Sequence, residues 1–283
     1  MSSDTTSANA GSFAEPTSTP PLAPILLAEL TSPAFAAVCE QVELVMIPVG
    51  AHEQHGPALP VSTDTLSAQV LCALAGALLR PRVALAPVVP WGVSWQHTGL
   101  PGTISLRDET LIAIVEDIVV SLHRDGIDRF LLVNMHGGNN AALQIAAERC
   151  HHDHGVPVVS SIYAYSLVAN AALDLLGPDA PGHGGGDESS VVLAIRPDLV
   201  DETQLASRDL NARIRQALAI VRAAGGVLPI HQVKVSPVGA SGDSTGASAD
   251  AGSAMLGRAA GQLRAIVEEL LSLDIAAFSD REA

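Results

Sequence analysis

Four short runs along the chain are rich in β-branched and aliphatic residues and show no regular polar alternation. They are "VELVMIPV" (42–49), "RVALAPVV" (82–89), "RFLLVNM" (129–135) and "PVVSSIY" (157–163). A strand with one wet face alternates apolar and polar residues, so runs of this kind suit strands covered on both faces. Between and around them, segments 65–79, 108–124 and 140–152 repeat apolar residues at spacings of three and four, the signature of amphipathic helices. Alternating strand and helix predicts an α/β fold: a three-layer α/β/α sandwich with a mainly parallel central sheet. Further helices are expected at "ESSVVLAI" (188–195), 208–223 and 254–271, with "QVKVSPV" (232–238) as one more candidate strand. No repeat at solenoid spacing is evident. No Gly/Ser/Pro-rich linker interrupts the pattern, so residues 25–283 are expected to form one domain.

Residues 1–24 break the pattern. They are rich in Ser, Thr and Pro and contain no Lys or Arg, which fits neither a secretory signal nor a transit peptide and predicts a disordered tail. The stretch 156–173 is interrupted by Ser160, Ser161, Ser166 and Asn170, too polar for a membrane span. Composition narrows the partners. With 48% hydrophobic and 16% charged residues the chain is of ordinary globular type, and a net charge of -15 gives no basic footprint for nucleic acid. Cys39, Cys72 and Cys150 are far apart and form no CxxC pair, which fits a reducing cytoplasm better than a disulfide framework or a zinc knuckle.

Ligands of open parallel sheets gather beyond the carboxyl ends of the strands. There the chain presents "VGAHEQHG" (49–56), with Glu53 and His55 two residues apart, and eleven residues after the glutamate comes Asp64. Carboxylate oxygen and imidazole nitrogen together suit zinc, manganese or ferrous ions. Asp64 also fits a helix N-cap, and a loop Glu or His is often merely solvated. His136 closes another strand in "MHGGNN", as a ligand or as a satisfied core histidine, with Asn139 as a candidate cap for the helix that follows. "GHGGGDESS" (182–190) sets His183 and Glu188 on either side of a glycine run; the plainer role for Asp187 and Glu188 is to complement a helix dipole in its first turn. "WGVSWQHTGLPGTISL" (91–106) brings Trp91, Trp95, His97, Gly102 and Thr103 as candidate pocket walls, or as a packed surface loop.

Other histidines carry less. "CHHDHG" (150–155) is the densest cluster, but it ends a predicted helix, where cationic side chains and a terminating glycine are both expected. His123 and His231 are isolated and read as structural or solvated. "SGDSTGASADAG" (241–252) lacks the GK[ST] ending of a phosphate loop and reads as a loop near the site or at a subunit contact.

Taken together and in this order, "IPVGAHEQHGPALPVSTDT", "WGVSWQHTGLPGTISL", "LLVNMHGGNNAAL" and "GHGGGDESS" resemble the four sequence blocks of the creatininase family of amidohydrolases, with a fainter echo at 235–252. The resemblance implies two divalent metal ions per subunit, zinc, manganese or iron. Glu53 and His136 would hold one ion, His55 and Glu188 the other, and Asp64 would bridge them. It further implies cleavage of a C–N amide bond by a metal-bridging hydroxide, with His183 passing a proton to the departing nitrogen. Trp91, Trp95, His97, Gly102 and Thr103 would then line the substrate. The substrate expected is a small cyclic amide, lactam or formamide. The alternatives are a mycofactocin-type peptidase trimming a precursor peptide, or a non-catalytic member that binds a small molecule. The resemblance further implies a cytoplasmic homo-oligomer, in that family often a hexamer, and neither nucleic acid nor membrane is an expected partner. One departure stands out. Creatininase itself has a glutamate two residues after the histidine of the third block, where this chain has Gly138, which shifts weight to Glu188.

Overall fold

In the computed structural model, which describes residues 23–278, the chain runs β1 (Ile25–Leu26), α1 (Ser32–Cys39), β2 (Leu44–Val49), α2 (Thr63–Leu78), β3 (Val83–Leu85) and α3 (Asp108–Arg124). It continues through β4 (Arg129–Asn134), α4 (Asn140–His152), β5 (Val158–Tyr163), α5 (Tyr165–Leu176), α6 (Gly186–Ile195), α7 (Ala212–Ala223), α8 (Gln232–Val235) and α9 (Ala249–Ser272). Five strands form one sheet in the order β1–β3–β2–β4–β5, and every pairing among them is parallel. Except for residues 23 and 24, the tail expected over 1–24 lies outside the described residues.

The unalternated apolar runs become strands sandwiched between helices, because each face of the sheet has its own core. Along β2, Leu44 and Met46 point to one side, where they meet Leu131 and Val133 of β4 and the buried faces of α2, α5 and α9. Val45, Ile47 and Val49 point to the other side, with Phe130 and Leu132, against α3 and α4. Apolar burial of this extent, at about 25 cal/mol per Å2, is what holds three layers together. Among the described residues no helix is long and apolar enough to cross a membrane.

Three features depart from the pattern's expectations. Only Val83–Leu85 of the run 82–89 is regular strand, since Pro87 has no N–H; Ala86 N and Val89 N still donate to Met46 O and Pro48 O at 3.0 and 2.9 Å. The segment 232–238 is not a strand: Gln232–Val235 form the short helix α8, Ser236 N donates to Gln232 O at 2.9 Å, and the ring of His231 meets Trp95 edge-on at 5.6 Å. β1, α1 and α5 are not among the elements expected from the pattern, β1 being only two residues long.

Register is what builds the site. Val49 of β2 stands beside Asn134 of β4, so the loops after these two neighbouring strands leave the sheet together.

Candidate metal centre

The loop after β2 is fastened to the first turn of α2. Glu53 N donates to Val61 O at 2.9 Å, and Thr65 Oγ1 donates to Ala51 O at 3.0 Å. Asp64 therefore sits in that first turn with its carboxylate turned to the loop rather than to the helix end, and it makes no cap. The loop after β4 is held by two asparagines. Asn134 Oδ1 accepts from His136 N at 3.0 Å. Asn139 is no cap either: its buried amide donates to Gly50 O at 3.0 Å and accepts from Val93 N at 2.8 Å, tying three loops together. The third element is the glycine run before α6. Gly184 has φ +63, and a Cβ there would meet His55 O at 2.8 Å, so only glycine lets this loop lie against the first.

Glu53, His55, Asp64, His136, His183 and Glu188 converge at the carboxyl edge. Asp64 divides its oxygens: Oδ1 lies 3.3 Å from His55 Nε2 and Oδ2 lies 3.4 Å from His136 Nδ1. His55 Nε2 also lies 3.6 Å from Glu188 Oε2. Glu53 Oε1 is ringed by His136 Nδ1 at 3.2 Å, His97 Nε2 at 3.3 Å and His183 Nδ1 at 3.5 Å. His97, expected in the substrate wall, is thus in the cluster itself, its ring 4.1 Å from that of His183. Trp91 and Trp95 are 47% and 42% exposed on the loop that carries it, Gly102 is exposed, and Thr103 Oγ1 accepts from Gln54 N at 3.1 Å.

Burial makes this cluster costly unless something compensates it. Glu53 Oε1 and Oε2, His55 Nε2 and Asp64 Oδ2 are buried and have no hydrogen-bond partner. Donor atoms of Glu53, Asp64 and His136 lie within 4.8 Å of one another, as do those of His55, His183 and Glu188, and those of Glu53, His97 and His183. Mixed oxygen and nitrogen donors at this spacing fit divalent cations.

Charge is distributed unevenly. Burial opposes a charge on His55, yet Asp64 and Glu188 beside it raise the ring to about 10. Burial likewise opposes a charge on His136, and Glu53 and Asp64 outweigh it, holding that ring above its ordinary range. Burial pushes Glu188 up to about 8. His97 and His183 go the other way: burial lowers His97 to about 4 and, with His55 and His97 adding repulsion, takes His183 well below the usual histidine range.

Gly138 has a geometric reason. A Cβ at that position would meet Val93 O at 2.1 Å and His136 Nε2 at 2.4 Å, where His136 Nε2 makes a 3.0 Å bond to Val93 O. No side chain fits there without breaking the bond that orients His136. Three supporting residues carry roles that the linear sequence does not mark. Asn139 has the sequence position of a helix cap, and Gln54 lies between Glu53 and His55 with nothing in the linear chain to mark it. Tyr165 donates to Asp187 Oδ2 at 2.6 Å behind Glu188, a pairing with no linear signal. The loop 241–252 does lie near the site, with Ser241 N donating to His183 O at 2.6 Å.

The fold and site define an α/β protein with a buried carboxylate–imidazole cluster beyond its parallel strands. The family model described as creatinine amidohydrolase matches residues 28–267. The chain belongs to the creatininase family, hydrolases that act on C–N amide bonds. It is similar to the mycofactocin precursor peptide peptidase of Mycolicibacterium smegmatis, at 33% identity over 221 residues, 75% of this chain and 78% of that one. It is also similar to the creatinine amidohydrolase of Pseudomonas putida, at 32% identity over 176 residues, 56% and 66% of the two chains. A solved structure designated "Creatininase Mn" superposes with a TM-score of 0.70 at 24% identity, covering 88% of this chain and all of that one.

Proposed function

We propose that residues 25–283 act as one amidohydrolase unit with two divalent cations. Glu53 and His136 would hold one, His55 and Glu188 the other, and Asp64 would span both. The observation that carries this reading is the division of the Asp64 carboxylate, one oxygen toward His55 and the other toward His136. The orphaned polar atoms of Glu53, His55 and Asp64 support it, since each needs a counterpart that no side chain supplies. When bound, such cations supply polarisation of an amide carbonyl and acidification of a water.

The chain's own residues complete the chemistry. His183 Nε2 bonds to Gln54 O at 2.6 Å, and a carbonyl only accepts, so the proton sits on Nε2 and Nδ1 keeps its lone pair. Depressed by burial, the ring is neutral at pH 7 and can take a proton from the attacking water at Nδ1. It then hands that proton to the departing nitrogen. Trp91 and Trp95, on the loop that leads to His97, offer apolar walls to the substrate.

Within the amides, a short peptide is the substrate we favour. The peptidase relative is matched over more of both chains than the creatinine hydrolase, and the filled space at Gly138 speaks against a creatininase-like ligand there. The second reading, a small cyclic amide or formamide, keeps the support of the Pseudomonas putida relative. Protein loaded with manganese, zinc or ferrous ions, assayed on short peptides, creatinine, lactams and formamides, tests both. Two ions per chain with peptide turnover is the expected result. Turnover of creatinine alone would reverse the substrate choice. Fewer than one ion per chain after gentle purification, with no turnover, would favour a binding protein on the same scaffold.

A further inference from the structure

Four imidazoles surround the carboxylates, and hydrogen-bond chemistry sorts them into two kinds. His55 Nδ1 lies 3.0 Å from Glu53 O, His136 Nε2 lies 3.0 Å from Val93 O, and His183 Nε2 lies 2.6 Å from Gln54 O. Each of these partners is a carbonyl, so each ring directs a proton outward and, in its neutral form, turns a lone pair toward the carboxylates. His97 is the opposite case. Its Nδ1 lies 2.8 Å from Gln54 Nε2, and a carboxamide nitrogen only donates.

The orientation of that amide is fixed independently. Gln54 Oε1 accepts from Gly56 N at 2.9 Å, so the oxygen end faces the backbone and the nitrogen end faces His97. The same nitrogen is 3.4 Å from Gly239 O, a second acceptor that an oxygen in its place would repel. Its 3.1 Å approach to His183 Nε2 is a packing contact between two donors, because the shorter bond to Gln54 O already fixes that proton. With Nδ1 of His97 receiving a proton from the amide, the neutral ring carries its own on Nε2, 3.3 Å from Glu53 Oε1.

We infer that Gln54 is a positioning residue: its side chain locks His97 as the Nε2–H tautomer, which steadies Glu53 and leaves His97 outside the metal shell. The inference rests on the metal reading above only in its last clause. It separates the four histidines that geometry alone groups together, since a neutral ring that accepts at one nitrogen and carries its proton on the other has no lone pair for a cation. Gln54 would then set two tautomers at once, His183 through its backbone carbonyl and His97 through its side chain.

Nitrogen-15 correlation spectra of the full chain, with the His97 ring assigned by comparison with His97→Gln, read the tautomer directly, with or without added zinc. Protonation at Nε2 is expected in both states, and its replacement by another form in Gln54→Met. That variant, similar in length but unable to donate, should lose about 10–100-fold in kcat, the usual cost of disturbing the outer shell of a metal site, with KM changed less than about twofold. Its zinc content should match that of the wild type. Protonation at Nδ1 in the wild-type chain would overturn the inference, as would a zinc-induced shift showing metal on His97. So would a Gln54→Met protein with unchanged His97 signals and unchanged kcat. A chain that takes up no zinc yet shows Nε2–H at His97 would sink the metal reading and leave the tautomer lock intact.

Discussion

Residues 53–55 and residues 150–155 both set histidine beside acid groups, but the two stretches meet different environments. His55 is buried and faces Asp64 and Glu188, whereas His152, at the end of α4, has a side chain 87% exposed and pairs with its neighbour Asp153 at 2.8 Å. Pinning by a carbonyl does not distinguish them. His151 Nδ1 contacts Val156 O at 3.0 Å, much as His55 Nδ1 contacts Glu53 O. The difference is what the second nitrogen meets. In the first stretch it meets buried carboxylates from the first turns of two helices; in the second the carboxylate is local and wet, where an ion pair contributes about 0–1 kcal/mol. Convergence from separate strands therefore carries more information than histidine density.

The largest way to break this comparison is Glu53→Gln. That carboxylate faces three imidazoles and has two orphaned oxygens, and the amide keeps its shape while removing its charge. Activity should fall to background and bound metal from two ions to about one per chain, with circular dichroism unchanged. An active variant carrying its full metal content would show that the buried cluster is no more a metal centre than the exposed one.

Removing metal sharpens the comparison through pH. In the folded, metal-free chain His55 is raised to about 10 from an ordinary 6.5, and Glu188 to about 8 from 4.5. Both hold protons in the folded state that the unfolded chain has released, so their contribution is complete below the unfolded values and is lost as pH rises through 8 and then 10. His97 and His183, which are lowered, act only below about 6.5. The melting temperature of chelator-stripped protein should therefore decline between pH 7 and 10. Added zinc should flatten or reverse that slope, because ligation needs the deprotonated forms. A stripped protein whose melting temperature holds steady or climbs across this range would mean that the buried groups are not coupled as their distances imply.

Much of this was readable in the linear chain. The parallel order follows from four unalternated runs, since buried strands have no wet face to mark, and Glu53, His55 and His136 lie in loops that the strand ends position. What the chain could not announce are roles set by contacts across loops. Asn139 looks like a helix cap because it precedes α4, yet its amide is consumed by Gly50 and Val93. Gln54 looks like a spacer, and His97 like part of a pocket wall, until the two face each other across 43 residues. The segment 232–238 has a strand's composition, but composition describes a half-buried surface as much as a pleated one. Packed beside Trp95, it turns instead into a single helical turn.

The smallest expected effect comes from the other side of the comparison. His152, in the last turn of α4, and His154, just past it, are exposed, and Gly155, with φ +70, follows the end of that helix whether or not they are present. Changing both to Gln removes the favourable placement of cations at a helix carboxyl end and the exposed pairing of His152 with Asp153, both screened surface contributions. Stability should shift by no more than about 0.5 kcal/mol, in line with surface substitutions generally. Metal content and turnover should match the wild type. Chemical denaturation and metal analysis on the double variant check this. A loss of one bound ion per chain would place a cation at the exposed cluster after all, and would make histidine density the better guide in this fold than convergence of strand-end loops.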